Sequence, residues 1–408
     1  MNSNHTTLFY NLMQFICGTG LRFHDLRTTA TFVWAVFGLI LSECVHLNLW
    51  ALFRSGDAKV SSKERQFSRW LHNDRIRPML VYRPLVEKVL QEWAGATLYL
   101  ALDTSQLWGR FTIICLSLVY RGRALPVGWV ICASGSATVS LARYQRMLAQ
   151  VATCIPRHSK VVLLADRGFM DIKLMRLMRQ LGWRFRIRVK LSVFIHRATK
   201  GKRKVKALMP PPGGARFFSH VWLTEQRYGP LHLALAYMQT KNGHEKWAII
   251  SDEPVGLHTF DEYGLRFDIE EGFLDFKSAG FQLESSQLED SESLSRLLLI
   301  LAAATLYLVS TGTAIVAMGK RHLVDPHWFR GLSYLQIGWR WVKRSLVWGE
   351  KLLSFLWLSS EPDPIPAMAS WRKWLEPDLS LSRIEWYDFV KVQYNEICQS
   401  ISNPPLIL

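Results

Sequence analysis

Residues 297–318, LLLILAAATLYLVSTGTAIVAM, run for 22 positions without a charge. A segment so long and apolar has two stable fates. It spans a bilayer, or it is a helix buried on all sides in a domain large enough to surround it. Thr305, Ser310, Thr311, Gly312 and Thr313 dilute the run, and the acidic stretch Glu284 to Glu292 comes just before it. Both features favour the buried helix in a soluble domain, with a membrane protein spanning near 297–318 as the alternative. A second run, TFVWAVFGLIL at 31–41, is shorter and has Glu43 and His46 close behind it. At 408 residues the chain is long enough for two or three domains and a core that can enclose such a helix.

The rest of the chain divides by pattern. Residues 1–95 are helical, and Ser61-Ser62-Lys63-Glu64 has the spacing of a capping box that starts a helix. That helix presents Arg65 and Arg69 beside Phe67 and Trp70, so the region is a candidate helix-turn-helix for DNA. From residue 96 to 189 the pattern changes to strands at 97–103, 110–120 and 124–131, a helix at 139–153, a strand at 159–166, a helix at 170–181 and a strand at 183–189. Three antiparallel strands followed by helix, strand, helix, strand is the order of a ribonuclease-H-like α/β fold, a mixed five-stranded sheet with flanking helices. Residues 190–262 interrupt it with a β-rich insertion, with strand-like runs at 216–224, 230–238 and 245–251. Helices return at 263–320, which would complete the core, and 321–408 is a helical C-terminal region.

Composition narrows the partners. Lys and Arg number 50 against 33 Asp and Glu, a formal net charge of +17. So basic a chain suits a polyanion, nucleic acid before an anionic membrane. The charge is also segregated. Residues 182–206 hold ten Lys and Arg and no acid, whereas 250–292 hold twelve acids against only Arg266 and Lys277. The six cysteines show no paired spacing, which fits a reducing, cytoplasmic setting better than a disulfide scaffold or a zinc site. The N-terminus lacks the pattern of a secretory leader.

Asp103 and Asp166 each stand where an apolar strand is expected to end, and Glu270 lies on a helix after the insertion. Three carboxylates gathered at a sheet edge make a hard oxygen-ligand cluster suited to two Mg²⁺ or Mn²⁺ ions. Such a pair of ions suits phosphoryl transfer.

These residues resemble a family. Tyr263, Arg266, Glu270 and Lys277 stand at the spacing Y-x2-R-x3-E-x6-K, the Tyr-Arg-Glu-Lys signature of insertion-sequence DDE transposases. Ala165-Asp166-Arg167-Gly168-Phe169 looks like that family's second-Asp motif and Leu102-Asp103-Thr104-Ser105 like its first. The resemblance implies a ribonuclease-H-like core with a β-rich insertion between the second Asp and the Glu. It also implies Asp103, Asp166 and Glu270 as metal ligands, Tyr263 and Arg266 as contacts to phosphates near the element end, and Lys277 as a contact to the DNA backbone. The activity implied is metal-dependent cleavage and strand transfer at the ends of an insertion sequence, cut-and-paste through a hairpin intermediate. The setting would be the prokaryotic cytoplasm, at the nucleoid.

The partners expected are double-stranded DNA, both terminal inverted repeats and target, and a second copy of the chain, since two ends must be cut together. No membrane partner is expected. Further candidates for DNA contact are Arg197, Lys200, Lys202, Arg203 and Lys204. Trp222 and Trp247 are candidates for stacking on a flipped base, against the ordinary reading that each is core. The rival function is a catalytically inactive, transposase-derived DNA-binding protein.

Overall fold

The computed structural model describes residues 3–135, 139–198, 201–240, 243–277, 280–367 and 383–387. In chain order the first elements are α1 (Ser3–Gly18), α2 (Leu26–Ser42), α3 (Leu47–Phe53), α4 (Val60–Leu71), α5 (Pro78–Gln91), β1 (Thr97–Leu107), β2 (Phe111–Tyr120), β3 (Arg123–Cys132) and α6 (Leu141–Ala152). Then follow β4 (Lys160–Ala165), α7 (Ile172–Gln180), β5 (Arg184–Arg188), β6 (Phe194–Arg197), β7 (Gly201–Lys204), α8 (Val205–Leu208), β8 (Gly214–Leu223), β9 (Tyr228–Thr240) and β10 (Gly243–Ser251). The last are α9 (His258–Gly264), α10 (Asp268–Phe276), α11 (Ser291–Ala317), α12 (Tyr334–Trp348) and β11 (Arg383–Tyr387). The chain is thus mixed α/β. It divides into two compact units, Met1–Val161 with Leu265–Arg372, and Val162–Gly264 with Lys373–Leu408.

In the first unit β1, β2 and β3 form an antiparallel ladder joined by two tight turns. Trp108 and Gly109 (φ 53 and 65), like Arg121 and Gly122 (φ 49 and 81), both take left-handed backbone. Arg121-Gly122 is a two-residue loop between the paired Tyr120 and Arg123, and Trp108-Gly109-Arg110 a three-residue loop between the paired Leu107 and Phe111; in each a glycine bears one of the two successive positive φ values without cost. The helix expected from a capping box starts differently. α4 begins at Val60 with Lys59 as its N-cap and no side-chain cap bond, so Ser61 already lies inside the first turn. Lys63 instead reaches back to the Arg54 carbonyl at 2.7 Å.

The uncharged run lies in α11. By length and hydropathy this helix could cross a membrane, yet its most hydropathic window is wholly buried inside the protein. It packs on α12, α2, α4, α5 and β3. Most of the hydroxyls that dilute the run are satisfied: Thr311 donates to the Tyr307 carbonyl at 2.8 Å, Thr313 to that of Val309 at 2.9 Å, Thr313 meets Tyr120 at 3.1 Å, and Ser310 accepts the Trp357 amide at 2.6 Å, whereas the buried Thr305 hydroxyl has no partner among the described residues. Two glycines allow the close crossing with α12. A Cβ at Gly312 would overlap the Tyr334 carbonyl, and one at Gly338 would overlap that of Leu308. Arg296, 2% exposed, ties α11 to the α4–α5 turn through the carbonyls of Leu71 and Ile76 and the Asp74 carboxylate.

In the second unit β4 and β5 run parallel, and β10 joins β5 antiparallel. The order continues β10-β9-β8-β6-β7, with β11 set parallel on β8. The three strands anticipated in the insertion are therefore present, in a long antiparallel run that starts from β5. α7 is the crossover between β4 and β5, buried through Leu174, Met175 and Met178.

Candidate active site

Asp103 lies within β1, opposite Cys115 on β2. The expectation that Asp103 closes its strand is corrected: pairing continues to Leu107, because the Trp108-Gly109 turn carries the hairpin past it. Above this ladder sits α10, on a layer of small side chains. Ala101, Cys115 and Ala124 are buried against Ile269, and a Cβ at Gly272 would come 3.2 Å from the Ala124 carbonyl. That close seat brings the first turn of α10, with Glu270, over β1.

Arg266 joins the two acids. From the one-turn helix Leu265–Phe267 its Nη1 donates to Asp103 Oδ2 at 2.9 Å and its Nη2 to Glu270 Oε1 at 2.9 Å. The guanidinium is buried, whereas the Glu270 side chain is 55% exposed. The other Asp103 oxygen accepts the Thr104 amide at 2.8 Å. Lys277, at the end of α10, donates to the Gln106 carbonyl at 2.6 Å and pairs with Glu284 at 3.2 Å, so it too is anchored to β1. Trp108 donates to the Glu284 carbonyl at 2.8 Å. Burial pushes the Cys115 thiol up to about 12; a hydrogen bond with Ser117 opposes this and the Asp103 charge adds to it. Burial likewise raises Asp275 to about 6, against the pull of Arg123 at 3.0 Å.

Asp166, in the second unit, follows β4 and is held locally. Its Oδ1 accepts the Gly168 amide at 2.8 Å, capping the one-turn helix Arg167–Phe169. A Cβ at Gly168 would sit 3.0 Å from that same oxygen, so the glycine of the Asp-Arg-Gly motif leaves the carboxylate room. Tyr263 is fully buried in the second unit, edge-on to Trp247 at 5.4 Å. Trp247 is 8% exposed and also packs near Phe260. Trp222, on β8, is half-buried and its ring would meet a Cβ at Gly229.

The basic run divides by environment. Arg197 is buried, its guanidinium over Phe218 at 4.9 Å and Tyr387 at 5.3 Å. Lys202 pairs with Glu225, and both Lys202 and Lys204 lie over Phe194. Arg203 is exposed, and Lys200 lies outside the described residues. On α4, Arg65 and Arg69 are exposed one turn apart, with Arg69 Nε donating to the Arg65 carbonyl at 3.3 Å.

Much of the segregated charge is matched inside each unit. Arg184 pairs with Asp252, Arg186 with Glu253 and Glu262, and Arg188 with Glu245. Arg123 pairs with Glu271 and Asp275. Among the described residues no group of three His, Cys, Asp or Glu lies together as a metal-holding cluster. Two features escaped the sequence reading: the Arg266 bridge, and the cations Lys173, Arg176 and Arg179 on α7. The second had a readable signal, basic residues every third position in IKLMRLMRQ.

Residues 116–307 match the family model of the Transposase DDE domain. The match spans a little under half of the chain, includes Asp166 and Glu270 and begins beyond Asp103. It supports a DDE transposase, a DNA-recombination enzyme. No curated protein matches the chain. Among solved structures, the chain is similar to a piggyBac transposase synaptic complex with hairpin DNA, determined by cryo-EM. The TM-score is 0.41 at 14% identity, over 99% of this chain and 85% of that one.

Proposed function

We propose that the protein is an insertion-sequence DDE transposase that cleaves DNA at the element's ends and joins the freed 3′-hydroxyl to another strand, through a hairpin in cut-and-paste movement. The observation that carries the reading is the meeting of Asp103 and Glu270 on Arg266, within a chain that matches a transposase DDE domain. In this reading β1-β2-β3, β4, α7 and β5 are parts of a ribonuclease-H-like core, and 190–262 is its insertion.

Asp103, Asp166 and Glu270 would hold two Mg²⁺ or Mn²⁺ ions, whose chemistry when bound is to lower the pKa of water and neutralise phosphate charge. The donor set fits such ions, since both carboxylates on Arg266 offer hard oxygens. Arg266 keeps the two acids side by side, and its planar fork equally suits phosphate oxygens. Lys277 fixes the end of α10 to β1, which holds Glu270 in place. Double-stranded DNA of the terminal repeats and target is the partner, taken up by two copies of the chain. Trp222, the less buried of the two tryptophans, would receive a flipped base, and Arg65, Arg69, Lys202, Arg203 and Lys204 would meet backbone.

Purified protein incubated with Mg²⁺ and DNA carrying the flanking end sequences should nick at the end. Glu270→Gln should lower that rate by about 10³-fold or more, as removal of a group acting in the transition state does. Equal rates for variant and parent overturn the site assignment.

A further inference from the structure

We propose that Lys173, Arg176 and Arg179 on α7 form a docking surface for one sugar-phosphate strand of duplex DNA, an inference that rests on the transposase reading. All three are exposed. Steps of three residues place them along one side of the helix, opposite the buried Leu174, Met175 and Met178. Among the described residues none of them has an ion-pair partner, in a unit where Arg184, Arg186, Arg188 and Arg216 all do.

Neutral groups hold the two guanidiniums instead. Arg176 and Arg179 lie over the Tyr228 ring at 5.7 and 5.1 Å. Arg179 Nη2 donates to the Pro230 carbonyl at 2.9 Å. A ring and a carbonyl orient a guanidinium without cancelling its charge. Two arginines so oriented, with their charge unmatched, are arranged for an anion from outside the chain.

Geometry selects the anion. From Lys173 to Arg179 the helix rises about 9 Å. One DNA strand offers a phosphate roughly every 3.4 Å of axis, so the row faces two or three successive phosphates. A bilayer surface is a poorer match: the exposed face carries Lys173, Arg176, Arg179 and Gln180, with no apolar side chain to insert. Position agrees as well. The Asp166-Arg167-Gly168 turn immediately precedes α7 in the same unit, so a strand lying along the row runs toward Asp166.

The test uses the full chain, a 30-bp duplex of arbitrary sequence and EDTA, with affinity read by fluorescence anisotropy across a salt series. Arg176→Gln/Arg179→Gln should reduce the slope of log affinity against log salt by about 1.8 and weaken binding about tenfold at moderate salt, since each phosphate contact contributes roughly 0.9 to the slope. Arg176→Lys/Arg179→Lys should keep the parent slope, and circular dichroism should show all three proteins equally folded. A Gln variant with the parent's slope and affinity overturns the proposal. So does a Gln variant that loses binding only to phosphatidylserine vesicles. If the parent binds no duplex at low salt, the transposase reading falls with it. If the parent binds duplex through this row yet never nicks an element end in Mg²⁺, only the catalytic reading falls.

Discussion

Asp103 and Asp166 are the same residue type, each placed by a strand, and they are held in opposite ways. Asp166 is fixed by its own neighbourhood, capping a single turn through the amide two residues on. Asp103 is fixed by a residue 163 positions away, and only because α10 rests on small side chains over β1 and β2. A local device is cheap to form and cheap to lose. A partly buried carboxylate held by a distant, buried arginine is neither, because taking the arginine away removes a charge-assisted hydrogen bond that the local chain cannot replace.

Removing that partner gives the largest expected effect. Arg266→Met removes the charge-assisted hydrogen bonds to Asp103 and Glu270, and should destabilise the protein by about 2 kcal/mol in urea melts. Adding Asp103→Leu should cost less than the sum of the two single changes, since the bond is already gone. If Arg266→Met melts like the parent, the bridge is not what holds Asp103.

The local device is worth less. Asp166→Ala removes one cap and should cost about 1 kcal/mol in the same melts. Gly168→Ala should cost less still, needing only a small shift of the carboxylate at 3.0 Å. A loss at Asp166 as large as that at Arg266 would erase the distinction between the two acids.

A further difference between the units lies in their pH response. Asp275 is raised to about 6 from an ordinary 3.8, so the folded first unit keeps a proton that the unfolded chain has lost. This contribution to stability is full below about 3.8 and disappears as pH rises through about 6. His232, on β9, is pushed down to about 4 from 6.5 by burial, with help from His220 and Arg186. Here the unfolded chain carries the extra proton, so stability is kept above 6.5 and falls as pH drops toward 4. Hydrogen exchange between pH 4 and 6.5 should therefore show α10 gaining protection on acidification and β9 losing it. Asp275→Asn should flatten the first trend, and His232→Gln the second.

The element order from β1 to β5, both hairpin turns, three strands of the insertion (β8, β9 and β10, but not β6 or β7) and the burial of α11 were legible in the sequence. Each depends on residues adjacent along the chain: glycines where φ must be positive, alternation that marks a strand, an uncharged stretch that must be enclosed. The Asp166 cap belongs with them, since its acceptor and donor are two positions apart. Where a local rule competed with tertiary pairing, it lost. The Ser61 box gave way to a helix starting at Val60, and β1 ran on past Asp103 because β2 was there to pair with it.

Asp-Arg-Gly and the Tyr-Arg-Glu-Lys spacing could be read from the chain alone, as could the excess of positive charge. Which arginine bridges Asp103 and Glu270, and which three cations on α7 have no ion-pair partner among the described residues, were decided by the tertiary structure. Coulombic pairing depends on distance in space, and that distance is set by how closely α10 packs on the ladder and how Tyr228 meets α7, not by spacing along the sequence.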